Sequence, residues 1–393
     1  MDGSSTSTSN LADDVPALPL WPPPKGKYGD ASWGEVVHMM TVVVRIPFVV
    51  VWLSAKNLIH NRQTLRRSTL ISLIRWLNGK MNYKQIQYGS PRSLDAYKQW
   101  AKKQKMPVTV EDLIDDTPLM WIGPKRKDKV VLYIPGGAYL FALRGEFISF
   151  WRYVQLELGK EDCDVGFAIL GYSLVPEAGF PTQLRQATVA VEHLIGTGVH
   201  PSNLHIVGDS AGAHLILSLL SHILHPFPGL RPIVPLEAPI KGVYLMSPWV
   251  IMKTTSASSR SNAAYDIVGS STPNSTRQSY GDIVQPYATQ EHDLPYMDPL
   301  NAPDSWFLGL EGVVERVLMT AGGREVLRDD IISFSQKLSK VIKANRNFTF
   351  EVQEGGIHND PYLDFMAKLP YDQLGSLTPL IIHWLAGGIK PSR

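Results

Sequence analysis

A short β-branched run, a polar corner and a long aliphatic run follow one another without a break from Leu204 to Leu220: Leu204-His205-Ile206-Val207-Gly208-Asp209-Ser210-Ala211-Gly212-Ala213-His214-Leu215-Ile216-Leu217-Ser218-Leu219-Leu220. The first run reads as a buried strand ending at Gly208, and the last has helical spacing from Ala211 onward. A chain that turns this sharply from strand to helix belongs to a layered α/β structure, because the strand must hydrogen-bond to neighbours while the helix packs back over them. Gly208 and Gly212 flank Ser210 in a G-x-S-x-G pattern, where two elements approach too closely for a Cβ. The corner lifts the Ser210 hydroxyl off the strand's end, over the N-terminus of the following helix, which is the arrangement of a nucleophile elbow.

The rest of the chain supplies the sheet. Strands are expected at Thr117–Gly123, Val130–Ile134, Val165–Leu170, His205–Val207, Lys241–Met246, Arg316–Thr320 and Thr349–Gln353. Helices are expected at Gln183–Ile195, Ala211–Leu224, Leu327–Ala344 and Thr378–Leu385. Short, nearly all-apolar strands alternating with amphipathic helices predict a mostly parallel sheet with helices on both faces. The rhythm is lost at about 251–308, in a Ser, Thr, Asn and Pro-rich stretch that reads as a lid inserted beside the site. With 393 residues, 44% of them hydrophobic, the chain can bury one large core plus an appendage.

Ahead of the catalytic region (117–393) the sequence divides into a polar, Pro-rich tail (1–30), expected to be disordered, and a helical arm (31–116). The arm opens on Val36–Leu53, apolar and about the length a bilayer requires, but interrupted by Arg45 and Pro47. These predict a break or kink and leave two main readings, a cap helix over the catalytic domain or an interfacial anchor that would place the protein at a membrane surface such as the ER, with a true membrane span behind them. Leu65–Leu77 and Ser93–Gln104 read as further helices. Between Lys56 and Lys105 twelve basic residues stand against one acid, Asp95. The formal net charge of +2 is too small to imply nucleic acid as a global partner, and none is expected. The one cysteine, Cys163, cannot form an internal disulfide, which favours a reducing, intracellular compartment. Asn274 and Asn347 open sequons that matter only in a luminal protein. There is no repeat, P-loop, dinucleotide fingerprint or clustered Cys/His set, so neither a metal nor another cofactor is expected.

A serine hydroxyl needs a base within reach, and the base needs an acid to fix its tautomer. Both follow in the chain. His358 stands on the glycine-loosened loop Glu354-Gly355-Gly356-Ile357-His358 after a strand and is the expected base. Glu325, first after the turn Ala321-Gly322-Gly323-Arg324, is the expected acid, with Asp329 and Asp330 as fallbacks about one turn on, where they can instead complement a helix dipole. Tyr133-Ile134-Pro135-Gly136-Gly137-Ala138-Tyr139 offers backbone donors at Gly136, Gly137 and Ala138, and Ala211 adds another, as an oxyanion hole requires.

With these pieces in place the chain resembles the hormone-sensitive-lipase-like α/β hydrolases, and among them the fungal steryl-acetyl-hydrolase-like members. The resemblance rests on Gly136-Gly137-Ala138-Tyr139, Tyr172-Ser173-Leu174-Val175-Pro176-Glu177, Gly208-Asp209-Ser210-Ala211-Gly212, Ser247-Pro248-Trp249, Glu325–Asp330 and Gly356-Ile357-His358, over roughly 117–390. It implies an α/β-hydrolase fold with Ser210 as nucleophile, His358 as base and the acid at Glu325, where many relatives carry aspartate. Pro135 and Ala138 depart from the family's usual histidine and third glycine. The activity implied is a cofactor-independent deacetylase or short-acyl esterase on a bulky apolar ester, such as that of a sterol, terpenoid or polyketide. The same acyl-enzyme could serve lactonisation or acyl transfer in secondary-metabolite biosynthesis, and a non-catalytic ligand-binding protein on this scaffold is the rival of another class.

Overall fold

The computed structural model describes residues 26–59, 65–268, 280–284, 293–342 and 347–390. An N-terminal arm of α1 (Trp33–Ile59), α2 (Leu65–Lys80), α3 (Tyr83–Tyr88) and α4 (Ser93–Lys103) leads into an eight-stranded sheet. Its strands are β1 (Val110–Leu113), β2 (Thr117–Ile122), β3 (Val130–Ile134), β4 (Gly166–Leu170), β5 (Leu204–Asp209), β6 (Gly242–Met246), β7 (Val317–Gly322) and β8 (Phe348–Gln353). They lie in the order β1-β2-β4-β3-β5-β6-β7-β8, with β1 and β2 antiparallel and all pairs from β4 to β8 parallel. The remaining helices are α5 (Gly145–Lys160), α6 (Thr182–Gly196), α7 (Ala211–Leu224), α8 (Ala257–Ser261), α9 (Tyr280–Val284), α10 (Leu294–Met297), α11 (Arg328–Val341), α12 (Asp360–Met366) and α13 (Leu377–Ile389).

Alternation along each strand builds two cores. Val130, Leu132 and Ile134 of β3 face one cluster with residues of α6, α7 and α11, whereas Val131 and Tyr133 face a second with residues of α5 and α13. Both faces are dry, which is why the inner strands read as uninterrupted apolar runs. The expected strands and helices fall on observed elements with ends shifted by a few residues.

Several elements escaped the sequence reading, among them the helices α3, α5 and α12 and the edge strand β1. Helix α5 carries Phe147, Phe150, Trp151, Tyr153 and Val154, residue types that favour strands by intrinsic preference. Burial of Ile148, Trp151, Val154 and Leu158 against the sheet decides the matter for a helix. Edge strand β1, Val-Glu-Asp-Leu, is too polar for its pattern to declare it, so the sheet begins at Val110 rather than Thr117. Pro47 lies inside α1 and does not end it. The tail up to residue 25, Asn274 and much of the expected lid (269–279, 285–292) lie outside the described residues. The described part of that stretch holds the short helices α8, α9 and α10.

The arm is built into the body. Arg67 of α2 is buried and pairs with Asp360 at 2.5 Å and Asp364 at 2.7 Å, both on α12. Arg75 donates to the Ala263 carbonyl at 3.1 Å and Asn78 to that of Ile267 at 3.0 Å. Gln87 of α3 donates to the carbonyls of Leu140 and Val175 at 2.7 and 2.9 Å.

Candidate active site

At the C-terminal ends of the parallel strands, three loops converge on the turn between β5 and α7. Ser210 occupies that turn with φ +50° and ψ −117°, a conformation a side chain adopts only under constraint. The constraint is visible: its N–H donates to the Met246 carbonyl at 2.9 Å, and its own carbonyl accepts from Trp249 and His214 at 3.2 and 2.9 Å. Gly212 lies so close to β3 that a Cβ there would overlap the Ile134 carbonyl oxygen and stand 2.6 Å from the Pro135 carbonyl carbon and oxygen. The two glycines around Ser210 therefore answer to close packing, as the pattern implies.

His358 follows β8 and is buried. Its Nδ1–H donates to Glu325 Oε1 at 3.1 Å, the direction being fixed because a carboxylate only accepts. Glu325, wholly buried after β7, accepts through Oε2 from Ser247 Oγ at 2.8 Å and from the Gly322 N–H at 2.7 Å. Burial pulls the His358 imidazole toward neutrality, but its hydrogen bond to Glu325 and the charges of Glu325, Asp266 and Asp209 outweigh it and hold its pKa above the usual value. Asp329 and Asp330 do not join this cluster. Asp329 accepts from the Ser258 N–H at 2.7 Å and from Arg328, and Asp330 accepts from Ser256.

Asp209, next to Ser210, ties the three loops together. Its Oδ1 accepts from Tyr133 Oη at 2.8 Å and the Gly136 N–H at 3.0 Å, and its Oδ2 accepts from Asn359 Nδ2 at 2.7 Å. The neighbour of the serine is thus bonded directly to the neighbour of the histidine. One correction follows: the Gly136 N–H is committed to Asp209, so among the expected oxyanion donors only Gly137, Ala138 and Ala211 remain. The loop from Gly137 to Tyr139 holds three successive positive φ angles, +122°, +54° and +59°. Tyr172 Oη anchors its base through the Pro135 carbonyl at 2.6 Å.

Three further groups were not anticipated. Asp266, buried, accepts from the backbone N–H of His358 at 3.1 Å and of Val326 at 2.7 Å, clamping the base loop to the acid loop. Burial pushes its pKa up to about 6, against the lowering pull of His358. Tyr139 Oη and His214 Nδ1 are 2.5 Å apart, and His214 Nε2 lies 2.9 Å from the Met297 carbonyl. Since a carbonyl only accepts, Nε2 carries the proton and Nδ1 accepts from the tyrosine. Burial lowers the His214 pKa to about 4, so this ring stays neutral and structural. Ser247 and Asn359 complete the polar web: Asn359 N–H donates to Ser247 Oγ at 3.2 Å. Of these groups Tyr139 and Ser247 had a sequence signal, their places in Gly136-Gly137-Ala138-Tyr139 and Ser247-Pro248-Trp249.

A parallel sheet with a strained serine at a strand–helix corner and a buried histidine–carboxylate pair beside it defines an α/β hydrolase. The chain belongs to the alpha/beta hydrolase fold family, whose sequence profile matches residues 131–360. It is 28% identical over 235 residues to an acetyl-hydrolase of Streptomyces hygroscopicus, covering 59% of this chain and 68% of that one. It is 26% identical over 253 residues to a putative steryl acetyl hydrolase of Schizosaccharomyces pombe, covering 62% of each. Among solved structures it is similar to an esterase of the bacterial hormone-sensitive lipase family, with TM-score 0.60, 23% identity, and coverage of 84% of this chain and 100% of that one. A carboxyl esterase of the fungus Tuber melanosporum aligns with TM-score 0.55, 18% identity, and coverage of 72% of this chain and 87% of that one. These findings agree with the resemblance read from the motifs.

Proposed function

We propose that this protein is a carboxylic ester hydrolase that removes a short acyl group from a bulky apolar alcohol, with Ser210, His358 and Glu325 as its triad. The observation that carries the reading is the buried Glu325–His358 pair, held beside the serine corner by the Asn359–Asp209 bond. In this mechanism Ser210 Oγ attacks the ester carbonyl while His358 takes its proton through Nε2, and Glu325 stabilises the imidazolium that results. The N–H groups of Gly137, Ala138 and Ala211 receive the oxyanion, helped by the positive end of α7. His358 then protonates the departing alcohol, and the acyl-enzyme is resolved by water that His358 activates in turn.

The names of the curated relatives, an acetyl-hydrolase and a putative steryl acetyl hydrolase, favour acetyl over longer groups and an apolar alcohol. Buried aromatics close to the serine fit such a substrate: Trp249 and Tyr139 are neighbours at 6.4 Å between ring centroids.

The direct test is intact-mass labelling with a fluorophosphonate. Wild type is expected to gain a single adduct and Ser210→Ala none; an unlabelled wild type, or an equally labelled variant, overturns the reading. A second expectation concerns the oxyanion loop. Tyr139→Phe deletes the donor to His214 Nδ1 and leaves a buried acceptor unpartnered, which costs about 1–3 kcal/mol. The loop then loses its hold on the backbone donors, and kcat for a p-nitrophenyl acetate assay falls about tenfold or more with KM little changed. An unaltered kcat would show that the tyrosine hydroxyl does not position the loop.

A further inference from the structure

Helix α1 presents a long apolar face to the outside. Trp33, Val37, Met40, Val44, Phe48 and Val51 recur three and four residues apart and so stack along one side of the helix. Trp33 is 81%, Phe48 74% and Val51 71% exposed, an unusual display for side chains of this size. The opposite side, with Met39, Val42 and Leu53, is buried.

That buried side is pinned at both ends. Near its start, Glu35 accepts from Asn82 Nδ2 at 2.7 Å and its carbonyl from Gln85 Nε2 at 2.7 Å. Near its end, Ser54 meets Thr69 and Asn57 meets Ser72, each at 3.4 Å. The partner helix α2 is in turn locked to α12 by Arg67. Met39, Val42 and Leu53 and the tethers to α2 and α3 thus hold this helix lengthwise against the protein, with its other side free.

The cations settle where the apolar side can go. Arg45 and Lys56 are separated by eleven residues, so they share one line along the helix, at the border of the apolar face. Both are exposed, and Lys56 Nζ lies 5.5 Å over the Trp52 ring. The one acid of α1, Glu35, is held by Ser32 and Asn82. Arg45, which interrupts the apolar run in sequence, therefore stands beside the apolar face and not within it. A broad apolar side flanked lengthwise by cations matches an anionic lipid interface, with the cations level with the phosphates.

We propose that this protein docks on an anionic phospholipid bilayer through α1, which lies in the plane of the membrane with Val44, Phe48 and Val51 at the acyl boundary and Arg45 and Lys56 at the phosphates. The inference is independent of the reaction at Ser210. Its bearing on that reaction is the position of α2, which reaches from α1 to the residues just after His358 and would hold the site close to a reservoir of apolar esters.

Sedimentation of the full chain with vesicles at low salt tests it, comparing phosphatidylcholine alone with a mixture of phosphatidylcholine and phosphatidylserine at about three to one. The mixed vesicles should pellet the protein, and high salt should release it. The exposed pair Val44→Asp with Phe48→Glu should weaken binding about tenfold or more. Arg45→Glu with Lys56→Glu should erase the preference for the anionic vesicles. Both double variants should keep the wild-type melting temperature and turnover of a soluble acetate ester, so a failure here is separable from a failure of the hydrolase reading. Three results overturn the proposal: wild type remaining in the supernatant with both vesicles, bound protein resisting extraction by alkaline carbonate, or light scattering showing a dimer that the Val44 and Phe48 changes split while no vesicle is bound.

Discussion

Glu325→Gln should lower kcat by roughly three to four orders of magnitude while leaving the protein folded. The carboxylate makes three contacts, accepting from Ser247 and the Gly322 N–H on one oxygen and from His358 on the other. A glutamine can satisfy the first side with its carbonyl oxygen. Its amide nitrogen then faces His358 Nδ1 as a donor, so Nδ1 must become the acceptor and the ring proton moves to Nε2. That is the wrong tautomer for a base that must take the serine's proton. The pH profile should move as well. On the proposed mechanism activity requires neutral His358; burial lowers its pKa, but the bond to Glu325 and the charge of Glu325 do most to hold it above the usual value, which moves the acid limb upward. Without that charge, the residual activity should have its acid limb shifted to lower pH. Asp329→Asn is the control, since Asp329 bonds Ser258 and Arg328 and does not touch the histidine. Near-normal turnover in Glu325→Gln, or a collapse in Asp329→Asn, would move the acid elsewhere.

The second large effect belongs to a single methyl group. Gly212→Ala should destabilise the fold by several kcal/mol, on the order of 3–5, and abolish turnover in whatever folds. The added Cβ would collide with the Ile134 carbonyl oxygen and press on Pro135, all of it backbone at the root of the oxyanion loop. Backbone of β3 cannot yield without breaking its pairing with β5, where Ile134 registers with Gly208. Thermal unfolding reads the loss. Gly196 provides the contrast, because a Cβ there meets nothing within 4 Å in the last turn of α6. Gly196→Ala should be neutral or stabilising by about 0.4–1 kcal/mol. Similar melting temperatures for the two variants would refute the close-packing account of the elbow.

The chain announced the elements whose chemistry is local. The strand–corner–helix unit around Ser210 was legible because apolar run, glycines and helix are contiguous in sequence. His358 was legible from its place after a strand, and Glu325 from being first past the glycines of its turn. What stayed hidden joins distant residues. Asp266 lies in a polar, Ser-rich stretch that looks like loop filler, and its meaning comes from backbone groups of His358 and Val326 that reach it only in the fold. The commitment of the Gly136 N–H to Asp209, and the bond between Tyr139 and His214, are likewise invisible to spacing. For α1 the sequence posed Arg45 as an obstacle, and only the packing of the helix on α2 revealed which side of it the charge occupies.

The buried ion pairs of Arg67 have a consequence for how this enzyme scaffold could be altered. Asp360 and Asp364 start two residues beyond the histidine, and their counter-charge comes from a helix nearly three hundred positions earlier in the chain. The N-terminal arm is therefore not an interchangeable accessory: grafting a foreign arm, without supplying a guanidinium at that place, would strand two carboxylates in a buried interior and unsettle the loop that carries His358.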